Sequence, residues 1–185
     1  KDNLEAPEII YNPDLKKYYL FTSYDPLMTT YNVRVSRSDA AEGPFTDYFG
    51  KAEKDTTNNF PILTAPYRFE NHPGWAGTAH CGVFTDGQGN YFMAHQGRLS
   101  PQNQLMVLHV RQLFFTPDGW PVVSPERYAG TPPREFTEAD LVGEWEIIRV
   151  QEPKYERQLE AGQILWGEGE LKDGEWNLST RVNLA

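Results

Sequence analysis

At 185 residues the chain is long enough for one sizeable hydrophobic core, or for one core and part of a second. Aromatic residues make up 14% of it, which suits an all-β protein because planar side chains pack well on a pleated surface, and suits sugar binding too. A formal net charge of -9 argues against nucleic acid, whose phosphates call for clustered Lys and Arg, and the lone Cys81 rules out an internal disulfide.

No apolar run approaches the ~18 residues that a membrane-spanning helix needs, so no membrane partner is expected. The sequence opens at Lys1 without Met or a signal-like stretch and is read as part of a longer protein, so secretion can follow only from function.

In chain order, Glu8–Tyr11, Lys17–Ser23 and Tyr31–Ser36 read as strands of a β-meander, with a turn at Asn12-Pro13-Asp14. The polar run 51–59 reads as a surface loop. A second unit follows: Cys81–Phe84, a turn at 86–89, Tyr91–His95, Leu105–Arg111, a turn at 116–119, and Trp120–Val123. The two units overlay as repeats, Ala6–Asn12 on Ala79–Thr85 and Tyr18–Phe21 on Asn90–Met93. Such a repeat fits a propeller blade, and two blades cannot close a ring that typically has ~4–8.

Residues 129–136 read as a linker, with a single helical turn capped near Thr137–Asp140. Residues 137–185 then read as a truncated C-terminal β domain, because Leu141–Val150, Gln163–Trp166 and Glu175–Leu178 are strand-like and so short a segment buries little surface. The expected fold is therefore all-β: two blades of a partial β-propeller over 1–128, then part of a small barrel- or sandwich-like module.

A sugar hydrolase needs two carboxylates flanking the scissile bond, one protonated and one ionised. Glu5, ahead of Pro7 at the opening of the first strand, is one such candidate, although an exposed Glu at a chain terminus is commonplace. His80 takes the matching place in the second unit, opposite Pro7. No HxxH, HExxH or CxxC spacing supports zinc, while a hard cation held mostly by water fits. Arg34 and Arg111 recur at similar strand positions, which for Arg111 favours a packing role. Tyr11, Tyr18, Tyr19, Tyr91, Phe92, Phe114 and Phe115 read as core, whereas Tyr24, Tyr31 and Trp75 lie in loop-like stretches suited to stacking on sugar rings.

Glu5-Ala-Pro-Glu-Ile-Ile-Tyr-Asn-Pro13, with Lys17–Tyr24 and Tyr31–Ser38, resembles the fourth blade of glycoside hydrolase family 43 endo-arabinanases. Gly77-Thr-Ala-His-Cys81, Phe92–Arg98 and His109–Pro125 resemble the fifth. The resemblance implies a five-bladed propeller that hydrolyses α-1,5-linked arabinofuranose chains with inversion, with Glu5 as general acid. It implies one calcium ion near His80, largely water-coordinated, and lower-ranked contacts to sugar or to Glu5 from Tyr24, Arg34 and Gln96. The implied partner is arabinan or a related plant cell-wall polysaccharide, the setting secreted or periplasmic, and the full-length form a monomer. No segment matches the family's general-base Asp or its second Asp, and nothing sets Asp25 across a sugar-sized gap from Glu5. The chain alone is thus expected to be inactive, since general-base assistance is worth ~10²–10⁴-fold. The β-xylosidases and arabinofuranosidases of the same family, a non-catalytic polysaccharide-binding propeller and a generic interaction propeller stand as alternatives.

Overall fold

A computed structural model describes residues 4–55, 59–69, 71–100, 104–131, 134–141, 143–147, 150, 165–172 and 175–182. Three antiparallel sheets carry the described strands, and the only helical elements among the described residues are 3₁₀ turns at Glu53–Asp55 and Glu138–Leu141. The all-β expectation holds. No helix among the described residues is long and apolar enough to cross a membrane.

The first sheet runs β1 (Leu4–Asn12), β2 (Lys17–Tyr24), β3 (Asn32–Ser38) and β4 (Ile62–Thr64), each paired with the next. Asn12 closes the β1–β2 turn as expected, its side-chain oxygen accepting the backbone N–H of Asp14 and Leu15 at 3.0 and 3.1 Å. The second sheet centres on β7 (Tyr91–Leu99), which pairs with β8 (Met106–Phe115) and so with β9 (Pro121–Val123). The other edge of β7 is shared by two short strands, β5 (Trp75–Ala76) and β6 (Gly82–Thr85). Across the gap between them, Gln96 N–H still reaches the Ala79 carbonyl at 3.0 Å. The third sheet is a meander of β10 (Gly143–Ile147), β11 (Leu165–Lys172) and β12 (Glu175–Val182), over the runs read as strands.

Alternation drives the packing of the first two sheets. Tyr19, Phe21, Val33 and Val35 point from the first sheet into a core completed by Met93, Leu113, Ala79, Cys81 and Trp120. A clasp reinforces it: Tyr19 donates its hydroxyl to the Gly119 carbonyl at 2.6 Å, while Arg37 donates to the Asp118 carbonyl at 2.8 Å and lies 4.3 Å above the Trp120 ring.

The structure corrects several sequence expectations. Strands β4 and β5 went unrecognised because three and two residues are too few to show a period. The run 51–59 is not wholly an open loop, since Ala52 bridges to Thr46, residues 53–55 form a 3₁₀ turn and Asn59 is buried. Tyr11 and Phe114 are exposed rather than core, because each lies on a sheet face turned away from the other sheet. The repeat overlay is out of register by one residue. Ala6 (φ 50°), at the bulge within β1, and His80 (φ 58°), just before β6, form matching left-handed kinks, so His80 matches Ala6 rather than Pro7. That sets Ile10 on Phe84, and their cross-strand partners then set Tyr19 on Phe92 rather than on Tyr91.

Candidate active site

Glu5 sits near the start of β1, opposite Ser23 of β2, and a bulge between Glu5 and Glu8 breaks the register there. The kink at Ala6 is what this break needs, and a non-glycine residue at positive φ is held only where its surroundings impose it. The carboxylate is exposed on the chain's own surface, and one oxygen, Oε1, accepts a hydrogen bond from the Tyr31 hydroxyl at 2.5 Å. Tyr31 itself is 0% exposed. Burial and then the bond to Glu5 push its phenol pKa upward, opposed by the neighbouring Ser23 hydroxyl. The Ser23 hydroxyl accepts the backbone N–H of His80 at 2.9 Å.

His80 is exposed at the kink preceding β6. Its side chain lines an open groove of about 330 Å³ together with Gly82, Ala94, His95, Gln96 and the β8 residues Met106–Leu108. Glu5 is not part of that lining. The structure thus brings His80 and Gln96 together in one groove, while Glu5 lies outside it, bound to Tyr31. As a test of the calcium expectation, the described residues hold no group of three His, Cys, Asp or Glu able to bind a metal. The groove offers the imidazoles of His80 and His95 and the amide of Gln96 but no carboxylate, so a calcium ion there would take most of its six to eight positions from water.

Tyr24 and Arg34 lie deeper than sugar contacts would. Tyr24 is buried at the end of β2 and donates to Glu53 Oε1 at 2.9 Å; burial, then the Glu53 carboxylate, raises its pKa. Arg34 is 1% exposed, with its Nε donating to Asn32 Oδ1 at 2.9 Å and its guanidinium 4.7 Å from the Tyr24 ring centre. Asp25, at φ 70°, accepts from Asn32 Nδ2 at 2.6 Å and lies 3.9 Å from Arg34. It is engaged in this cluster. Tyr31 and Trp75 are buried as well, so the three aromatics expected to stack on sugar present no open ring face in this chain. Arg111 is the packing residue expected, donating to the Tyr67 hydroxyl at 2.8 Å and the Pro125 carbonyl at 2.8 Å.

Sequence reasoning missed Ser23 and the paired imidazoles of His95 and His109. Ser23 had a readable signal, since β2 alternation places its hydroxyl on the same apolar face as Tyr19 and Phe21. His95 faces His109 across β7 and β8, with ring centres 5.1 Å apart, and Trp75 packs edge-on to His109 at 4.5 Å. His95 Nδ1 donates to the Gln96 carbonyl at 2.6 Å, leaving Nε2 a buried acceptor without a partner among the described residues. Burial first, and the Arg111 charge second, hold the His95 pKa down to about 3 and that of His109 to about 4.

No family model matches the chain. The extracellular endo-α-(1→5)-L-arabinanase 2 of Bacillus subtilis (strain 168) is 31% identical over 166 residues, taking in 79% of this chain and 35% of that protein. This chain therefore spans about a third of the length of that curated relative. The endo-1,5-α-L-arabinanase of Thermotoga petrophila superposes with a TM-score of 0.78 at 25% identity, covering 98% of this chain and 46% of that one. A glycoside hydrolase family 43 protein of Bacillus licheniformis shares the fold at a TM-score of 0.78 and 23% identity, over 96% of this chain and 47% of its own. Sequence kinship with an arabinanase, and a fold shared with a second arabinanase and a family 43 hydrolase, place this chain among the arabinanase-like proteins of glycoside hydrolase family 43.

Proposed function

We propose that this chain is the later part of a secreted, monomeric arabinan hydrolase, its first two sheets being adjacent blades of a five-bladed propeller and residues 137–185 part of a C-terminal β module joined through 129–136. The observation that carries the reading is Glu5 itself: a carboxylate at a kinked strand opening, one oxygen held by a buried tyrosine, in a chain akin to endo-arabinanases. Glu5 acts as general acid, delivering its proton to the oxygen of the departing sugar while a base carboxylate activates water on the opposite face. In this reading the base comes from a part of the parent protein that this chain does not span, since no segment here resembles the family's general-base motif.

His80 would hold a calcium ion by one nitrogen, with water filling the remaining positions, and the ion would supply positive charge beside the carboxylates of the site. Gln96 shares the groove and is the better placed of the expected sugar contacts, while Tyr24 and Arg34 support the strand ends from beneath.

The test is hydrolysis of linear α-1,5-arabinan by this chain and by a form extended upstream to the length of its relatives, each with and without Glu5→Gln. Activity confined to the extended form and abolished by the substitution is the expected result. Activity in the short chain would refute the missing base, and inactivity of both would favour polysaccharide binding without catalysis.

A further inference from the structure

Glu5 and His80 lie on different sheets, yet a hydrogen bond from each reaches the neighbouring pair Tyr31 and Ser23. The His80 backbone N–H donates to Ser23 Oγ, the Tyr31 hydroxyl donates to Glu5 Oε1, and the Ser23 hydroxyl lies close enough to the Tyr31 phenol to favour its ionised form. Ser23 and Tyr31 are both fully buried, so neither hydroxyl has water as an alternative partner. Tyr31 is anchored in turn by its own backbone N–H, which reaches the Pro26 carbonyl at 3.1 Å, and the residue after it begins β3. A general acid is effective only when its proton-bearing oxygen is aimed at the leaving group, and a carboxyl free to rotate offers either oxygen.

We propose that Tyr31 is a positioning residue for Glu5: by holding Oε1 it leaves the other oxygen to carry and deliver the proton. The proposal rests on Glu5 being the general acid. No bond changes at Tyr31 or Ser23; both hydroxyls keep their protons through the reaction.

Tyr31→Phe, which removes one oxygen and keeps the buried ring, tests this in the arabinan-hydrolysing form. We expect kcat on arabinan to fall about tenfold to a hundredfold with KM little changed. On an arabino-oligosaccharide carrying a nitrophenyl leaving group, which departs without protonation, the loss should be slight. Ser23→Ala should show the same pattern more weakly. Equal losses on both substrates, or no loss on arabinan, would overturn the positioning role while leaving Glu5 as the acid. Retention of arabinan hydrolysis by Glu5→Gln would instead remove the acid assignment and this proposal with it. In the present chain, proton NMR should show a slowly exchanging Tyr31 hydroxyl that Tyr31→Phe abolishes and Ser23→Ala shifts; its absence from the unsubstituted chain would also overturn the proposal.

Discussion

His80 combines two features that rarely coincide by chance, a strained left-handed backbone and an imidazole open to solvent in a groove. Its backbone N–H is already spent on Ser23, so the kink serves the interior while the ring faces outward. If the ring ligates calcium, His80→Ala should weaken calcium binding at least several-fold by isothermal titration in the extended form. Equal affinity in the two proteins would take His80 out of the site. The placement of Glu5 and His80 at the openings of strands was legible, because strand-like runs follow both of them. The roles of Tyr24 and Tyr31 were not. A tyrosine in a short polar stretch looks the same in sequence whether its ring stacks on a sugar or its hydroxyl reaches back into the protein.

Between elements, a tight fit occurs where β7 pairs with β8. Gly97 lies directly over His109, and a Cβ built there would come within 2.5 Å of His109 Nε2, well inside any real contact. The imidazole has no room to yield, because Trp75 packs against it on one side and His95 on another. Gly97→Ala should therefore destabilise the chain by about 1–3 kcal/mol, read as a lower urea midpoint with an unchanged slope. An unaltered midpoint would mean that the His109 ring can move aside. The strand runs themselves were readable from alternation and turn residues. The register between the two units was not, since aligned letters favoured a fit one residue away from the one the backbone kinks impose. Only the cross-strand pairing of Ile10 with Tyr19 and of Phe84 with Phe92 decides it.

For the molecule as a whole, the two buried imidazoles set the response to acid. With folded-state pKa values of about 3 and 4, His95 and His109 stay neutral in the native chain while their unfolded counterparts begin to protonate near pH ~6.5. Protons bind the unfolded chain more readily, so the stabilising contribution is whole above pH ~6.5 and is lost as pH falls toward 4 and then 3. Each histidine should contribute on the order of 1 kcal/mol of lost stability per pH unit in that window. Urea midpoints at pH 7 and pH 5 check the slope. The imidazole proton resonances of His95 and His109 should stay unshifted across the same range; if they titrate near pH ~6.5, the buried pair is not as dry as the packing indicates.

What the sequence determined by itself was the all-β class, most of the strand runs, the turn chemistry at Asn12 and around Gly119, and the two residues, Glu5 and His80, on which an arabinanase reading rests. These are local properties, set by alternation, by residues suited to special backbone angles and by short motifs. Tertiary structure alone decided that Arg34 and Tyr24 go inside, that His95 and His109 meet, that Tyr31 holds Glu5 and that Ser23 holds the His80 backbone. Each of those depends on side chains far apart in the chain sharing one packed interior, where an unpaired polar group is costly and partners are chosen by geometry rather than by sequence neighbourhood.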